Sequence, residues 1–195
     1  MKIDEFWSLI EDLPRSMEEL SWIDRIRSTR SATSFLGPEP DVYTLSQRLK
    51  KLSDDEFVSF ATHFRKLYLE MYRWDIWGAA YIIQGGCGDD TFSDVRSGLI
   101  SRGRRFVETA LSSPDDLAEL LGSDEDWLAH ESFGYVNSRE AERRGGSAEE
   151  AWEAMIERLP YDGPKGEDWD FDDPTLNSQR LPKIVEKFGA WLKEI

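Results

Sequence analysis

The residues best placed to do chemistry begin with Asp75, which lies in a run of aromatic and aliphatic side chains at positions 72–81. A carboxylate removed from water costs several kcal/mol unless a partner or a hydrogen bond compensates it. Arg73 is two residues away, a spacing at which side chains on a helix do not face each other. We therefore expect the partner of Asp75 to come from elsewhere in the chain, with Arg96 or Arg102 as candidates.

Two interpretations of Asp75 stay open at this point. In the structural interpretation, an Asp–Arg pair joins two helices, since structural pairs also perturb carboxylates. In the functional interpretation, Asp75 accepts a proton or holds a ligand in a pocket walled by Trp74 and Trp77.

A second candidate segment, 85–92, combines three glycines with two adjacent aspartates. Glycine lets a ligand approach the backbone closely, but Asp89 and Asp90 would repel a phosphate. Carboxylates can hold Mg²⁺ or Ca²⁺, yet the spacing is not that of a calcium loop and supplies too few ligands, even with Asp94. The structural alternative is that Asp90 caps the next helix while Asp89 bonds loop amides.

Together the two segments define one candidate site. If it binds a ligand, Asp75 with Asp89 or Asp90 would act as bases or metal ligands, and Arg96 or Arg102 would hold an anion by the forked guanidinium. The candidate binding residues are Trp74, Asp75, Trp77, Gly85, Gly86, Cys87, Asp89, Asp90, Arg96 and Arg102.

Cys87 is the only cysteine of the chain, and a nucleophilic thiol needs a neighbour that promotes its thiolate form. Nothing in the sequence brings either histidine, His63 or His130, close to it. A small buried thiol is therefore the expected outcome. One cysteine and two scattered histidines predict no zinc site, and the sequence predicts no metal and no cofactor.

The element that must position these residues begins at a capping box, in which Ser53 accepts from first-turn amides and Glu56 reaches back to the Ser53 amide. Apolar residues then recur at helical spacing, and from 71 to 83 they surround the helix axis. Because a helix that is apolar all round is buried, we predict a central helix over about 53–84. Such a helix would span about 48 Å, so we expect a kink or break near Tyr72.

Helical spacing predicts shorter helices elsewhere, including an amphipathic stretch over 17–26 and a helix over 133–144. Residues 160–179 are rich in Gly, Pro and Asp, which predicts an irregular acidic surface loop, and a last helix follows over 181–194. With 195 residues and about 150 residues per domain as a guide, we predict a single all-α domain, a multi-helix bundle over 1–195.

The charge balance excludes several function classes. The 24 Lys and Arg against 39 Asp and Glu give 24 − 39 = −15, which argues against nucleic acid, whose phosphates need a basic face, and against anionic lipid. No window holds the eighteen or so apolar residues of a membrane span, and the first residues are acidic where a signal peptide is basic. The lone cysteine fits a reducing compartment, so we expect a cytoplasmic protein.

The acidic residues are unevenly distributed along the chain. Seven fall in 115–131 with no Lys or Arg, and six fall in 161–180 against Lys165 and Arg180. Most such runs are solvated faces. The functional alternative is a docking surface for a basic partner, with Trp127 and Trp169 as aromatic anchors.

The same two segments carry a family resemblance. The runs 72–81 (YRWDIWGAAY) and 85–92 (GGCGDDTF), with Arg96, Leu99, Ile100 and Gly103, resemble the signature of the bacterial domain of unknown function 4240. Segments 6–10, 52–56 and 114–118 are also similar to it. The resemblance spans residue 1 to about 150 and leaves 151–195 as an extension.

This resemblance implies cytoplasmic bacterial proteins without an established activity, some of which occur beside a WGR module. It supplies no catalytic residues. The family more often has serine after the cysteine, so Gly88 departs from the pattern and implies no role for a hydroxyl there.

Two function classes fit these observations. The one we favour is a non-enzymatic binding or regulatory domain that presents an acidic surface to a basic protein, of which an antitoxin masking a basic toxin is a special case. The alternative is a small-molecule or metal-dependent site, with hydrolysis as one option, in a cleft formed by the 72–105 region.

Overall fold

The computed structural model describes residues 1–25, 39–122 and 128–193. No strand occurs in these stretches, and the all-α class predicted from the sequence is confirmed. Short 3₁₀ turns occur at Pro114–Asp116 and Gly189–Lys193. The helices are α1 (Ile3–Ile10), α2 (Pro40–Leu49), α3 (Asp54–Glu70), α4 (Trp74–Gln84), α5 (Asp89–Ser101), α6 (Arg104–Ser112), α7 (Leu117–Leu120), α8 (Glu131–Gly134), α9 (Val136–Arg144), α10 (Gly146–Arg158), α11 (Pro174–Arg180) and α12 (Pro182–Phe188).

The chain divides into two compact units. Unit 1 comprises Met1–His63 and Ser132–Arg158, and unit 2 comprises Phe64–Glu131 and Leu159–Ile195. The candidate site residues named above all belong to unit 2. Within the described residues, no helix combines the length and the apolar character needed to cross a membrane.

Aromatic side chains fill the core of unit 1. Phe6 of α1 is fully buried and packs on Phe60, with 4.9 Å between the ring centroids. Arg144 of α9 forms two ion pairs. It lies 2.9 Å from Glu140 of the same helix and 2.6 Å from Asp54 at the start of α3. It also donates to the carbonyl of Leu49 at 2.7 Å, so this arginine satisfies backbone acceptors that α2 leaves at its end.

Helices α4 and α5 form the centre of unit 2. Ile76 and Ile82 of α4 and Phe92 of α5 are at most 1% exposed, as the all-round apolar pattern predicts. Gly98 allows close packing here, because a Cβ at this position would lie 1.8 Å from the carbonyl oxygen of Leu128. A side chain there would push that segment away from α5.

The predicted central helix over 53–84 is two helices, α3 and α4, and the expected break near Tyr72 is confirmed. Arg73 adopts an extended conformation, with φ −140° and ψ 143°. The amide of Trp74 donates to the carbonyl of Lys165 at 3.0 Å, and the amide of Lys165 donates to the carbonyl of Tyr72 at 2.9 Å. Backbone groups at the break are thus satisfied by a distant segment instead of by a helical turn.

The amphipathic stretch predicted over 17–26 begins later than expected. Residues 17–19 form a turn and 22–25 are helical, while Ile26 lies outside the described residues. Ser21 precedes the helical residues, and its hydroxyl accepts from the Asp24 amide at 3.2 Å as an N-cap. The expected helix over 133–144 is present as α9, with α8 just before it.

The C-terminal prediction needs two corrections. The irregular acidic loop ends at 173 instead of 179, because the Asp173 carboxylate accepts from two amides in the first turn of α11, at 2.7 and 3.1 Å, and Pro174 suits the first helical position. The last helix, predicted over 181–194, is α12 followed by a 3₁₀ turn at Gly189–Lys193. Residues 194–195 lie outside the described residues.

Candidate functional site

Asp75 forms its ion pair with Arg73, and the expected pairing with Arg96 or Arg102 is wrong. The Arg73 Nε donates to Asp75 Oδ1 at 2.9 Å, and its Nη2 donates to the other carboxylate oxygen. Helical spacing does not apply here, because Arg73 is the extended residue that precedes α4. Arg73 also donates to the carbonyl of Leu111 at 2.7 Å, so the pair links the start of α4 to the end of α6.

Asp75 is only partly buried, although the segment around it is apolar. Its side chain is 38% exposed, and Oδ1 accepts from the amide of Ile76 at 2.9 Å. The indoles of Trp74 and Trp77 stack on each other, with 5.2 Å between their centroids and 10° between their planes. Stacked rings leave no room for a ligand between them. The carboxylate of Asp75, bonded to Arg73 and to the Ile76 amide, stabilises the start of α4.

The glycine-rich segment ends α4 and begins α5. Gly85 has a left-handed φ of 68° at the end of α4, a conformation that favours glycine. Gly88 precedes α5, so the expected capping role of Asp90 is wrong. Asp89 and Asp90 are exposed in the first turn of α5, where negative charge interacts favourably with the helix dipole.

Cys87 is buried in the loop between α4 and α5, as expected. Its carbonyl accepts from the indole Nε1 of Trp77 at 2.7 Å. Burial raises the pKa of the Cys87 thiol to about 12, with a smaller contribution from the negative charge of Asp94. The sulfur is therefore a protonated thiol at neutral pH, and a neutral thiol is a poor nucleophile.

Three carboxylates gather beside the N-terminal half of α5, and we call Asp90, Asp94 and Glu131 the acidic patch. Partial burial raises the pKa of Asp94, and the negative charges of Glu131 and Asp90 raise it further. The amide of His130 donates to the Asp94 carbonyl at 3.0 Å, which brings Glu131 to this helix. Among the described residues, no Lys or Arg forms an ion pair with the patch.

The sequence identifies this patch only in part. Asp90 lies in the second candidate segment and Asp94 lies two residues after it, whereas Glu131 is distant in the chain. The signal that includes Glu131 is the run of seven acids over 115–131. Trp127, expected as an aromatic anchor of the same run, lies outside the described residues.

Among the described residues, Arg96 has the largest fully buried side chain, and it lies in a cage of aromatic rings. Its guanidinium carbon is 4.0 Å from the ring centroid of Tyr68, 4.5 Å from that of Tyr72 and 5.2 Å from that of Tyr161. Phe92 closes the cage at 5.0 Å. Ring faces attract a cation, and more strongly when water is excluded.

Hydroxyl and carbonyl oxygens complete the surroundings of Arg96. Nη2 donates to the hydroxyls of Tyr68 and Ser93, each at 3.1 Å, and to that of Tyr161. Burial raises the pKa of Tyr72 to about 12, and the Tyr161 hydroxyl adds to the shift. No carboxylate among the described residues pairs with Arg96, so its charge is balanced by dipoles and ring faces alone.

The structure keeps the predicted site residues in three separate settings. Arg73 holds Asp75, the acidic patch takes Asp90, and the aromatic cage encloses Arg96. Arg102 is half-buried, with its guanidinium 5.4 Å from the ring centroid of Phe106. Over the described part of the chain, no group of three or more His, Cys, Asp and Glu residues is arranged to hold a metal ion.

Comparison with known proteins identifies the family and nothing finer. No curated protein and no solved structure matches the chain. One family model, described as "Protein of unknown function (DUF4240)", matches residues 1–143. That span includes α4, α5 and all ten candidate binding residues, and it ends before α10, α11 and α12. The chain belongs to the DUF4240 family.

Proposed function

We propose that this chain is a non-enzymatic binding domain of the cytoplasm, and that the acidic patch docks a basic surface of a protein partner. The observation that carries the proposal is the clustering of Asp90, Asp94 and Glu131, with which no Lys or Arg of the described residues forms an ion pair. His130 lowers the pKa of Asp94, but its effect is smaller than those of burial and the two acids, so the pKa stays raised. Like charges at one place repel, which is why Glu131 and Asp90 raise the pKa of Asp94. A Lys or Arg from a partner would offset this repulsion and gain from charge complementarity.

The other signature residues support a binding role over a catalytic one. Asp75 is engaged by Arg73 and by its own helix, so it is not an unoccupied base. Cys87 is protonated at neutral pH. Both residues lie at the ends of α4. The neighbouring acidic patch, in which Asp90 and Glu131 are exposed, carries charge that no Lys or Arg of the described residues pairs with.

A charge-reversal experiment tests the proposal on the full-length chain. The triple variant Asp90→Lys, Asp94→Lys and Glu131→Lys removes the patch, and a synthetic oligolysine peptide serves as the basic probe. We expect isothermal titration calorimetry to show binding by the wild type and at least about tenfold weaker binding by the variant, a loss of about 1.4 kcal/mol. Raising the ionic strength should weaken wild-type binding.

A matched control separates the patch from net charge. Glu150, Glu153 and Glu157 are exposed on α10, and changing all three to Lys alters the net charge by the same amount. This control should keep nearly wild-type affinity for oligolysine. Equal losses in the two triple variants would show diffuse attraction by an acidic chain and would contradict a specific patch.

A small-molecule site in the 72–105 region is the second candidate function, and the buried Arg96 favours it. A fully buried guanidinium without a carboxylate can serve an anion that enters the aromatic cage. Titration with inorganic phosphate, followed by thermal unfolding, tests this candidate. A higher melting temperature of the wild type, lost in Arg96→Met, is the expected result, and a melting temperature unchanged by phosphate would contradict it.

A further inference from the structure

A segment outside the family model lies on the signature helix. We call residues 165–173 the strap. Its first residue, Lys165, makes the two backbone hydrogen bonds to Tyr72 and Trp74, which form an isolated bridge with parallel strand directions. The strap therefore enters beside the start of α4 as an extended chain.

Two aromatic side chains of the strap cover one face of α4. A Cβ at Gly78 would lie 2.3 Å from the Trp169 ring and 3.1 Å from that of Phe171, so both rings rest where α4 has no side chain. Phe171 also contacts Trp74 and Tyr81, with centroid distances of 6.1 and 5.4 Å. We call Trp74, Gly78 and Tyr81 the docking face.

The strap presents its residues alternately to α4 and to solvent. Trp169 and Phe171 are half-buried, whereas Asp170 and Asp172 are exposed. This alternation is typical of an extended segment, in which successive side chains point to opposite sides. The hydroxyl of Tyr81 donates to the Asp172 carboxylate, so the docking face binds an acidic side chain as well as the two rings.

Most of the strap is exposed, and two aromatic side chains, the Asp172 carboxylate and two backbone hydrogen bonds attach it to α4. Asn177 of α11 also accepts from the Trp169 indole at 2.8 Å and donates to the Phe171 carbonyl at 2.7 Å. Glu167 and Asp168, between the bridge and Trp169, are exposed, and Glu167 pairs with Arg180 at 3.1 Å. Segments with few buried apolar contacts and exposed backbone open at low free energy. The docking face belongs to the residues matched by the family model, whereas the strap begins after the last matched residue, 143.

We propose that the docking face recognises an extended peptide of a partner protein in which two aromatic residues alternate with acids, and that the strap occupies this face in cis. The short main-chain pairing beside Arg73 and the pocket left by Gly78 follow a known mode of peptide recognition, in which backbone bonds give affinity and alternate side chains give specificity. Release of the strap exposes the face to the partner.

The test uses the full-length chain and a labelled synthetic peptide of residues 164–175. In the double variant Trp169→Ala and Phe171→Ala, the strap no longer competes for the docking face. We expect fluorescence anisotropy to show binding to the double variant at least about tenfold tighter than to the wild type. The tethered strap of the wild type competes at an effective concentration of about 1 mM.

Adding Gly78→Ala to the double variant gives a matched control. Alanine favours the helix more than glycine, and the alanines at 169 and 171 leave room for its Cβ, so the chain keeps its fold. The added methyl group occupies the place of the indole, and peptide binding should be lost. A double variant with wild-type circular dichroism that binds no peptide at about 1 mM, or binds equally with Gly78→Ala, overturns the proposal.

If the double variant loses its helical circular dichroism, hydrogen exchange on the wild type tests the proposal independently. The amides of Trp74 and Lys165 report the bridge, and the amide of Leu99 reports the buried helix α5. We expect the bridge amides to exchange at least about a hundredfold faster than Leu99, because the strap opens without unit 2 unfolding. Equal exchange rates would show that the strap is a fixed part of the core and overturn the proposal.

Discussion

Acidic residues lie near the starts of the neighbouring helices α4 and α5, and their surroundings have opposite effects on the negative charge. At the start of α4, Asp75 meets the forked guanidinium of Arg73 and an amide of its own helix. In the first half of α5, Asp94 meets Glu131 and Asp90, and its pKa is raised. The first carboxylate stabilises the fold, whereas the second is held among like charges at a cost that folding does not explain.

Two buried arginines repeat this contrast, each within its own unit. Arg144 of unit 1 pairs with Glu140 and Asp54, and it also lies over the ring of Phe57. Arg96 of unit 2 has ring faces and hydroxyls but no carboxylate among the described residues. A carboxylate that neutralises a buried arginine is typical of a structural cation, so the unneutralised charges of unit 2 are the ones that point to binding.

The largest expected effect is on the reactivity of the Cys87 thiol, which lies in the loop that joins α4 to α5. With the pKa of the thiol raised to about 12, native Cys87 should react with Ellman's reagent about a hundred- to a thousandfold more slowly than the unfolded chain. The chain has one cysteine, so the signal comes from Cys87 alone, and the chain in urea is the control. Equal native and unfolded rates would place the thiol in solvent and contradict the geometry of the loop.

The next largest effect is on the free energy of unfolding and comes from the ion pair between Arg73 and Asp75. Arg73→Ala should lower the free energy of unfolding by about 2 kcal/mol, because it removes the bidentate pair with Asp75 and the bond to the Leu111 carbonyl. The side chain is 29% exposed, so the loss stays below that of a fully buried pair. Urea unfolding measures it, and Arg105→Ala, on the exposed side of α6, should change the value by less than about 0.5 kcal/mol. Equal effects of the two variants would remove the structural role of the pair.

The smallest expected effect is the contribution of Asp94, in the acidic patch, to the pH dependence of stability. Because the pKa of Asp94 is raised in the folded chain, its charge opposes folding once the pH has risen through that pKa. Asp94→Asn should therefore stabilise the chain at pH 7 by less than about 1 kcal/mol. The gain should vanish as the pH falls below the ordinary aspartate range, about 3.9.

Urea unfolding of both chains over a pH series measures this difference in free energy. The exposed Asp168, changed to Asn, is the control and should shift stability by less than about 0.5 kcal/mol at neutral pH. A stabilising effect of Asp94→Asn that grows on acidification would contradict the repulsion within the acidic patch.

Helical periodicity and capping residues were sufficient to predict the all-α class, the break at Tyr72 and the burial of α4. These features depend on neighbours a few residues apart, which sequence patterns describe well. The prediction of the Asp75 partner failed because it assumed helical geometry for Arg73. The residue is extended, and the reason is its pairing with Lys165, a contact that no local pattern contains.

The site was predictable to the same local extent. Asp90, Asp94 and Arg96 are recognisable in the sequence, but Glu131 and Tyr161 reach them only through the tertiary fold. The strap was predicted as an irregular surface loop because its Gly, Pro and Asp content hides two aromatic residues with extended spacing. Their place on α4 depends on the missing side chain of Gly78.

The most direct test of the account compares Asp75→Asn and Asp94→Asn by urea unfolding at pH 7. We predict opposite signs: Asp75→Asn lowers the free energy of unfolding by about 1 kcal/mol, and Asp94→Asn raises it. Opposite signs would show that one carboxylate is retained for the fold and the other at the expense of the fold. Losses of similar size in both variants would make the acidic patch a structural feature and contradict the proposed docking surface.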